Sequence, residues 1–252
     1  MTVDVTSAPG RVAHARAVAA ARRRFLRVLL LAGAWFWTGW ALIVLSLPLI
    51  VERWGGVAEG LTYDAAGSPA RWPAFAVGII ATGALLRPHL AAGGTRRALV
   101  DGVARGAVLG GLAFGVATVL LTLAEQRTYA ALGRPWQGTA GAFAPENLAG
   151  VVGTVVAETL VITTYALVGV AVLAGYLRWG PWRGTLAVVP LLVPGVLVDL
   201  TTRTGIFAIP VRDDAVGSLP GAVGVLVGAL VAAALAAVVA YRLLRTVRPR
   251  AA

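Results

Sequence analysis

The chain has 252 residues, 58% of them apolar and 13% charged, with a formal net charge of +11. Soluble domains hold roughly 45–50% apolar and about 25% charged residues, so this composition excludes a soluble enzyme, a disordered tail and a nucleic-acid-binding module. Cysteine and lysine are both absent, which removes thiolate chemistry, Schiff-base chemistry and the lysine of a phosphate-binding loop.

Residues 1–25 form a basic cytoplasmic tail, and Arg11–Arg27 reads RVAHARAVAAARRRFLR, alanine-rich and helix-prone. This segment is expected to anchor on anionic lipid, or to lie as an interfacial helix along the cytoplasmic face before turning into the first span. The apolar run that follows is longer than the 7–15 residues or so of a cleavable signal, so it reads as an uncleaved first membrane helix. Six spans follow from the apolar runs, at about 26–51, 72–90, 103–123, 148–176, 185–200 and 219–244. About 20 residues at 1.5 Å rise cross the roughly 30 Å hydrocarbon core. The second span is uncharged only from Trp72 to Leu86, and the fifth contains Pro190 and Pro194, which imply a kink. Residues 245–252 form a second cytoplasmic tail.

Arginine counting sets the orientation. The two tails and the loops after spans two and four hold sixteen arginines, and the other three loops hold six. Glu52, Glu59, Asp64, Glu125, Glu146, Asp213 and Asp214 lie in the arginine-poor loops. The expected protein is therefore an all-α integral membrane protein with six transmembrane helices and both termini cytoplasmic.

Within the loop 87–106, Gly93-Gly94 gives a turn and Thr95 caps a short helix carrying Arg96, Arg97 and Asp101. An ordinary arginine-rich loop explains these charges, but a capped helix between two spans is also a shape that another protein can grip. Span three spaces glycines at Gly102, Gly106 and Gly110, then at Gly111 and Gly115, and span six has Gly224 and Gly228. Small residues four apart let membrane helices approach closely.

Glu158 is the one carboxylate placed well inside a span, and Thr154 and Tyr165 fall within roughly 40° of it on the helix. This stripe either lines a substrate path or gate, or holds a carboxyl hydrogen-bonded between helices or nearer the outer interface. Asp199 sits near the outer end of span five, where solvent reaches it, so no second buried carboxylate completes a proton relay. His14 and His89 both fall in cytoplasmic segments, and no metal-ligating cluster or aspartate pair suits an intramembrane protease. Tyr129, Trp136, Phe143 and Phe207, with Pro135, Pro145 and Pro210, lie in the outer loops 124–147 and 201–218, the aromatics as headgroup-level anchors.

This layout resembles the ABC-2 type permease, the membrane subunit of many bacterial ABC exporters. The resemblance lies in six spans, both termini inside, a basic interfacial helix, the turn Gly93-Gly94-Thr95-Arg96-Arg97 after span two, and the exit Tyr176-Leu177-Arg178-Trp179-Gly180 from span four. It implies a permease subunit in a bacterial cytoplasmic membrane, paired with a second copy or paralogue and with an ABC ATPase subunit. The docking role on that ATPase falls to Thr95, Arg96, Arg97 and Asp101. No cofactor belongs to the chain itself, because ATP sits on the partner, and the chain is a transport subunit, not an enzyme. Thr154, Glu158 and Tyr165 become a candidate path wall, loop 201–218 a candidate lid, and the cargo hydrophobic or amphipathic. The turn is arginine-rich where family members vary, and spans three and six are poor in aromatics. The alternatives are a non-transporting scaffold or sensor that oligomerises through its glycine faces, and a secondary transporter. For the latter, the halves 1–125 and 126–252 show no internal match.

Overall fold

A computed structural model describes residues 8–51, 69–136, 142–143, 147–204 and 219–247. Its elements are helices throughout: α1 (Ala8–Val51), α2 (Arg71–Ala91), α3 (Arg96–Ala131), α4 (Leu148–Leu191), α5 (Val193–Thr202) and α6 (Leu219–Thr246). Five helical stretches are long and apolar enough to cross a membrane, with α4 and α5 counted together as Leu148–Thr202.

The basic N-terminal segment does not turn before the first span. It continues into the span as one helix of 44 residues, about 66 Å long and roughly twice the hydrocarbon thickness. The cause is packing. Val18, Ala21, Phe25 and Leu29 form one buried stripe three or four residues apart, and that stripe crosses from the basic segment into the apolar one. It lies on Gly102, Gly106 and Gly110 of α3, where added methyl groups would strike Ala21, Phe25 and Leu29. A bend between the basic and apolar segments would break this contact, so the helix runs on without interruption.

The other α3 glycines face the opposite way. Gly111 and Gly115 lie against the backbone of α4 at Thr159 and Val155. The glycine rows of α3 are thus filled within the chain, by α1 on one side and α4 on the other. In α6, Gly228 packs on Thr201, while among the described residues nothing approaches Gly224.

Spans four and five are joined without the expected loop. Gly180 takes φ 79° and ψ −179° inside α4, next to Pro181. A left-handed φ is cheap only for glycine, and proline cannot continue the preceding helix. Beyond Gly180 the chain folds back, so that Tyr176 hydrogen-bonds Thr185 across 3.0 Å, Gly175 lies near Leu191, and Gly195 meets the ring of Tyr165. The stretch Leu148–Thr202 is therefore an antiparallel helical hairpin with a short break at Leu192.

The first arm of that hairpin is the axis of the fold. The most apolar window of Leu148–Thr202 is 78% buried, against 17% for α1 and 28% for α6. Helices α2, α3, α5 and α6 all pack on α4, while α1 packs on α3 and α2. The exposed sides of α1 and α6 carry Trp35, Leu42, Val227 and Leu230, as lipid-facing surfaces do.

Candidate functional site

Three buried polar side chains meet near the arginine-poor ends of the helices. Arg71 opens α2, Tyr165 lies within α4, and Asp199 lies near the end of α5, and none has more than 1% of its surface exposed. The Arg71 guanidinium donates to one Asp199 oxygen, and the Tyr165 hydroxyl donates to the other at 2.8 Å. Arg71 also stands 5.3 Å from the centre of the Tyr165 ring, and Trp72 packs edge-on against that ring at 5.7 Å. Each partner answers the solvation that burial removed, since an isolated charge in such surroundings costs far more than one that is paired and hydrogen-bonded. Local backbone fixes the carboxylate. Arg203 adopts a left-handed φ of 53°, and the Thr204 N–H returns to the Asp199 carbonyl at 3.1 Å, ending α5 one turn beyond the side chain.

This corrects the reading of Asp199 as a solvent-facing end residue, and it takes Arg71, one of the six arginines counted to the arginine-poor loops, into the interior. The usable signal was positional. Arg71 is the charge at the start of span two, and Asp199 is the acidic residue within span five, at ends expected on the same side.

Thr154, Glu158 and Tyr165 do share one face of α4, and all three are buried. They meet different partners. Thr154 donates to the Phe143 carbonyl at 3.2 Å, and Tyr165 donates to Asp199. Glu158 lies two turns, about 10 Å, nearer the start of α4 than Tyr165. Helix α3 extends two turns past the predicted span, which places Glu125 in the interior, accepting from Trp136 Nε1 at 3.1 Å. Glu125, Glu158 and Asp199 are thus all buried, contrary to the expectation of a lone carboxylate. Tyr129 is buried, and Phe143 covers Gly153, so these aromatics pack inward and are not headgroup anchors. Residues 205–218 of the candidate lid, with Phe207 and Pro210, and Pro145 lie outside the described residues.

At the arginine-rich end, Gly93 with φ 80° closes α2, and the Thr95 side chain accepts from the Ala98 N–H at 3.1 Å to cap α3, so the expected separate short helix is instead the first turns of α3 itself. The docking residues divide from there. Arg97 has 71% of its side chain exposed and lies 3.9 Å from Asp101, which is also 3.6 Å from His14 of α1. Arg96 turns inward toward the Arg245 carbonyl of α6 at 3.5 Å. The exit motif of span four is held to the same end of α6, where Arg178 donates to Thr246. The turn after α2 is therefore an exposed cap supported from α1 and α6. Among the described residues, no group of three His, Cys, Asp or Glu side chains is placed to hold a metal ion.

No protein-family model matches this chain, and no curated protein or solved structure matches it.

Proposed function

We propose that this chain is the membrane-spanning permease subunit of an ATP-driven ABC exporter in a bacterial cytoplasmic membrane. The hairpin at Gly180 supports six crossings, because it makes Leu148–Thr202 two antiparallel passes. An even number of passes puts both ends on one side, and arginine counting makes that side cytoplasmic. The observation that carries the functional reading is the cap Gly93–Asp101, with Arg97 exposed and its helix braced by α1 and α6. A surface built to be rigid and accessible suits docking of a separate ATPase, and the chain has no lysine with which to build a phosphate loop of its own. Closure of the ATPase pair would then push on α3 and reach α4 through the Gly111 and Gly115 contacts. A second copy or paralogue completes the permease, with the exposed faces of α1 and α6 as the surfaces open to it.

A proton-coupled secondary transporter is the second reading, favoured by the buried groups Glu125, Glu158, Asp199 and Arg71. The oligomeric scaffold loses its basis in the α3 glycine rows, which are occupied within the chain.

Mild-detergent capture of the tagged protein from its native membrane tests the docking role. An ABC ATPase is expected in near-equal amount, with recovery falling about tenfold or more for Arg97→Glu, since charge reversal at a docking face costs upwards of about 1.4 kcal/mol. Ala131→Glu, at the opposite end of α3, should leave recovery unchanged. Failure to recover an ATPase with the wild-type chain, or unchanged recovery with Arg97→Glu, contradicts the proposal.

A further inference from the structure

Between α1 and the first turns of α3 lies a recess of about 150 Å³, lined by His14, Ala15, Val18, Ala19, Arg22 and Arg105. Two features set it apart from a solvated basic surface. The first is charge without compensation. Arg22 and Arg105 come from different helices, and among the described residues no carboxylate lies within ion-pair distance of either. Asp101, the acid nearest in sequence to Arg105, is already shared by His14 and Arg97. Like charges converging on one recess repel unless an anion lies between them. The separation of the two helices is also fixed, because a methyl group on Gly102 would meet the Val18 carbonyl at 2.7 Å and the Arg22 nitrogen at 3.0 Å. The arginines therefore project from a backbone contact that cannot widen cheaply.

The second feature is what lies below. Leu109, Leu112 and Val116 follow Arg105 at intervals of four, three and four residues, and all three are exposed. At about 100° per residue they fall within roughly 40° of Arg105 on the α3 surface. An exposed apolar stripe thus runs from the arginine into the membrane segment, starting where the apolar run of α3 begins. A cationic recess above an apolar track matches an amphipathic anion.

We propose that Arg22 and Arg105 bind the phosphate of one anionic phospholipid, whose acyl chain lies along Leu109, Leu112 and Val116. The inference requires only that the chain lies in a membrane, and it stands or falls apart from any role in transport. A pair of arginines carried on two closely packed helices suits a phosphate group, which accepts several charge-assisted hydrogen bonds.

The test uses the full-length purified chain in discs of phosphatidylcholine with or without phosphatidylglycerol. Native mass spectrometry is expected to show one retained phosphatidylglycerol, and the thermal midpoint should rise when that lipid is present. Arg22→Gln with Arg105→Gln should lower retained lipid by about twenty-five-fold, roughly fivefold per arginine, and abolish the rise in midpoint. Arg23→Gln with Arg24→Gln removes the same charge from positions outside the recess and should leave the retained lipid in place. Equal losses in the two double variants would mean diffuse surface attraction and overturn the site. Stabilisation by inorganic phosphate alone, equal to that from the lipid, would overturn the lipid as ligand. If the Arg22/Arg105 variant does not fold, Leu112→Gln provides the second reading, since retained lipid must fall there too if the track is used.

Discussion

Asp199→Ala is expected to destabilise the folded chain by about 3–5 kcal/mol, because it strands Arg71 in a buried site without its counter-charge. The guanidinium of Arg71 has no exposed surface through which water could replace the carboxylate. Tyr165, which donates to the second carboxylate oxygen, would lose its acceptor in the same variant. Removing that bond alone, with Tyr165→Phe, should cost only about 1 kcal/mol, as single side-chain hydrogen bonds in membrane proteins usually do. The informative control removes both charges. Arg71→Met with Asp199→Leu should recover most of the lost stability, since a buried ion pair replaced by apolar groups is often neutral or better. Unfolding in mixed micelles, followed by the near-ultraviolet signal to which Trp72 contributes, measures the series. A single Asp199→Ala variant as stable as the parent would show that the pair is solvated, against the burial described. If the double variant folds and fails in the transport proposed above, the cluster acts in function as well as in folding.

Gly78→Leu is expected to give no recoverable folded protein, and Gly78→Ala to cost about 3 kcal/mol or more, above the usual cost of overpacking. At this crossing α2 and α4 touch backbone to backbone. A methyl group on Gly78 would collide with the Ala166 carbonyl, and one on Gly169 with the Phe75 carbonyl. Neither is a side chain that can rotate away. The helices can only separate, and that would pull Arg71 from Asp199 and open the α2–α4 core around Ala74, Val77 and Ala166. Gly39 and Gly224 supply the contrast, because among the described residues nothing lies within 4 Å of a methyl group added there. Gly224→Ala should be neutral or stabilising by up to about 1 kcal/mol through helix propensity. Yield and thermal midpoint of the three variants separate backbone contact from a general intolerance of glycine replacement.

Apolar run length and glycine spacing carried most of the helical layout. Helix α2 ends at Ala91 and α6 covers Leu219–Thr246, each within two residues of the span read from the sequence. Helix α3 overran its apolar window, because residues 124–131 include helix formers such as Ala, Glu, Gln and Arg that need no membrane to stay helical. The continuity of α1 was readable in part. Its buried stripe has helical spacing, but only the partner α3 decides that the basic segment continues into the span as one helix.

The candidate sites divide in the same way. Thr95 as a cap and Thr154, Glu158 and Tyr165 as one buried face follow from local spacing, and the structure has them so. The pairing of Arg71 with Asp199 spans 128 residues, and periodicity within one helix says nothing about what lies across from it. The inward turn of Arg96 is likewise set by the end of α6, so two adjacent arginines with the same local signal have different surroundings.

The orientation and the docking face depend on one claim, that the α2–α3 turn and the Gly180 turn lie on the same side of the membrane. The chain has no native cysteine, so single cysteines can be read without background. Arg97→Cys, Trp182→Cys and Ala131→Cys, at exposed positions, should be tested in intact cells with a membrane-impermeant maleimide. Positions 97 and 182 are expected to be protected until the membrane is opened, and position 131 to react from outside. Labelling of 97 and 182 from opposite sides would contradict the hairpin crossing, and with it the six-pass permease.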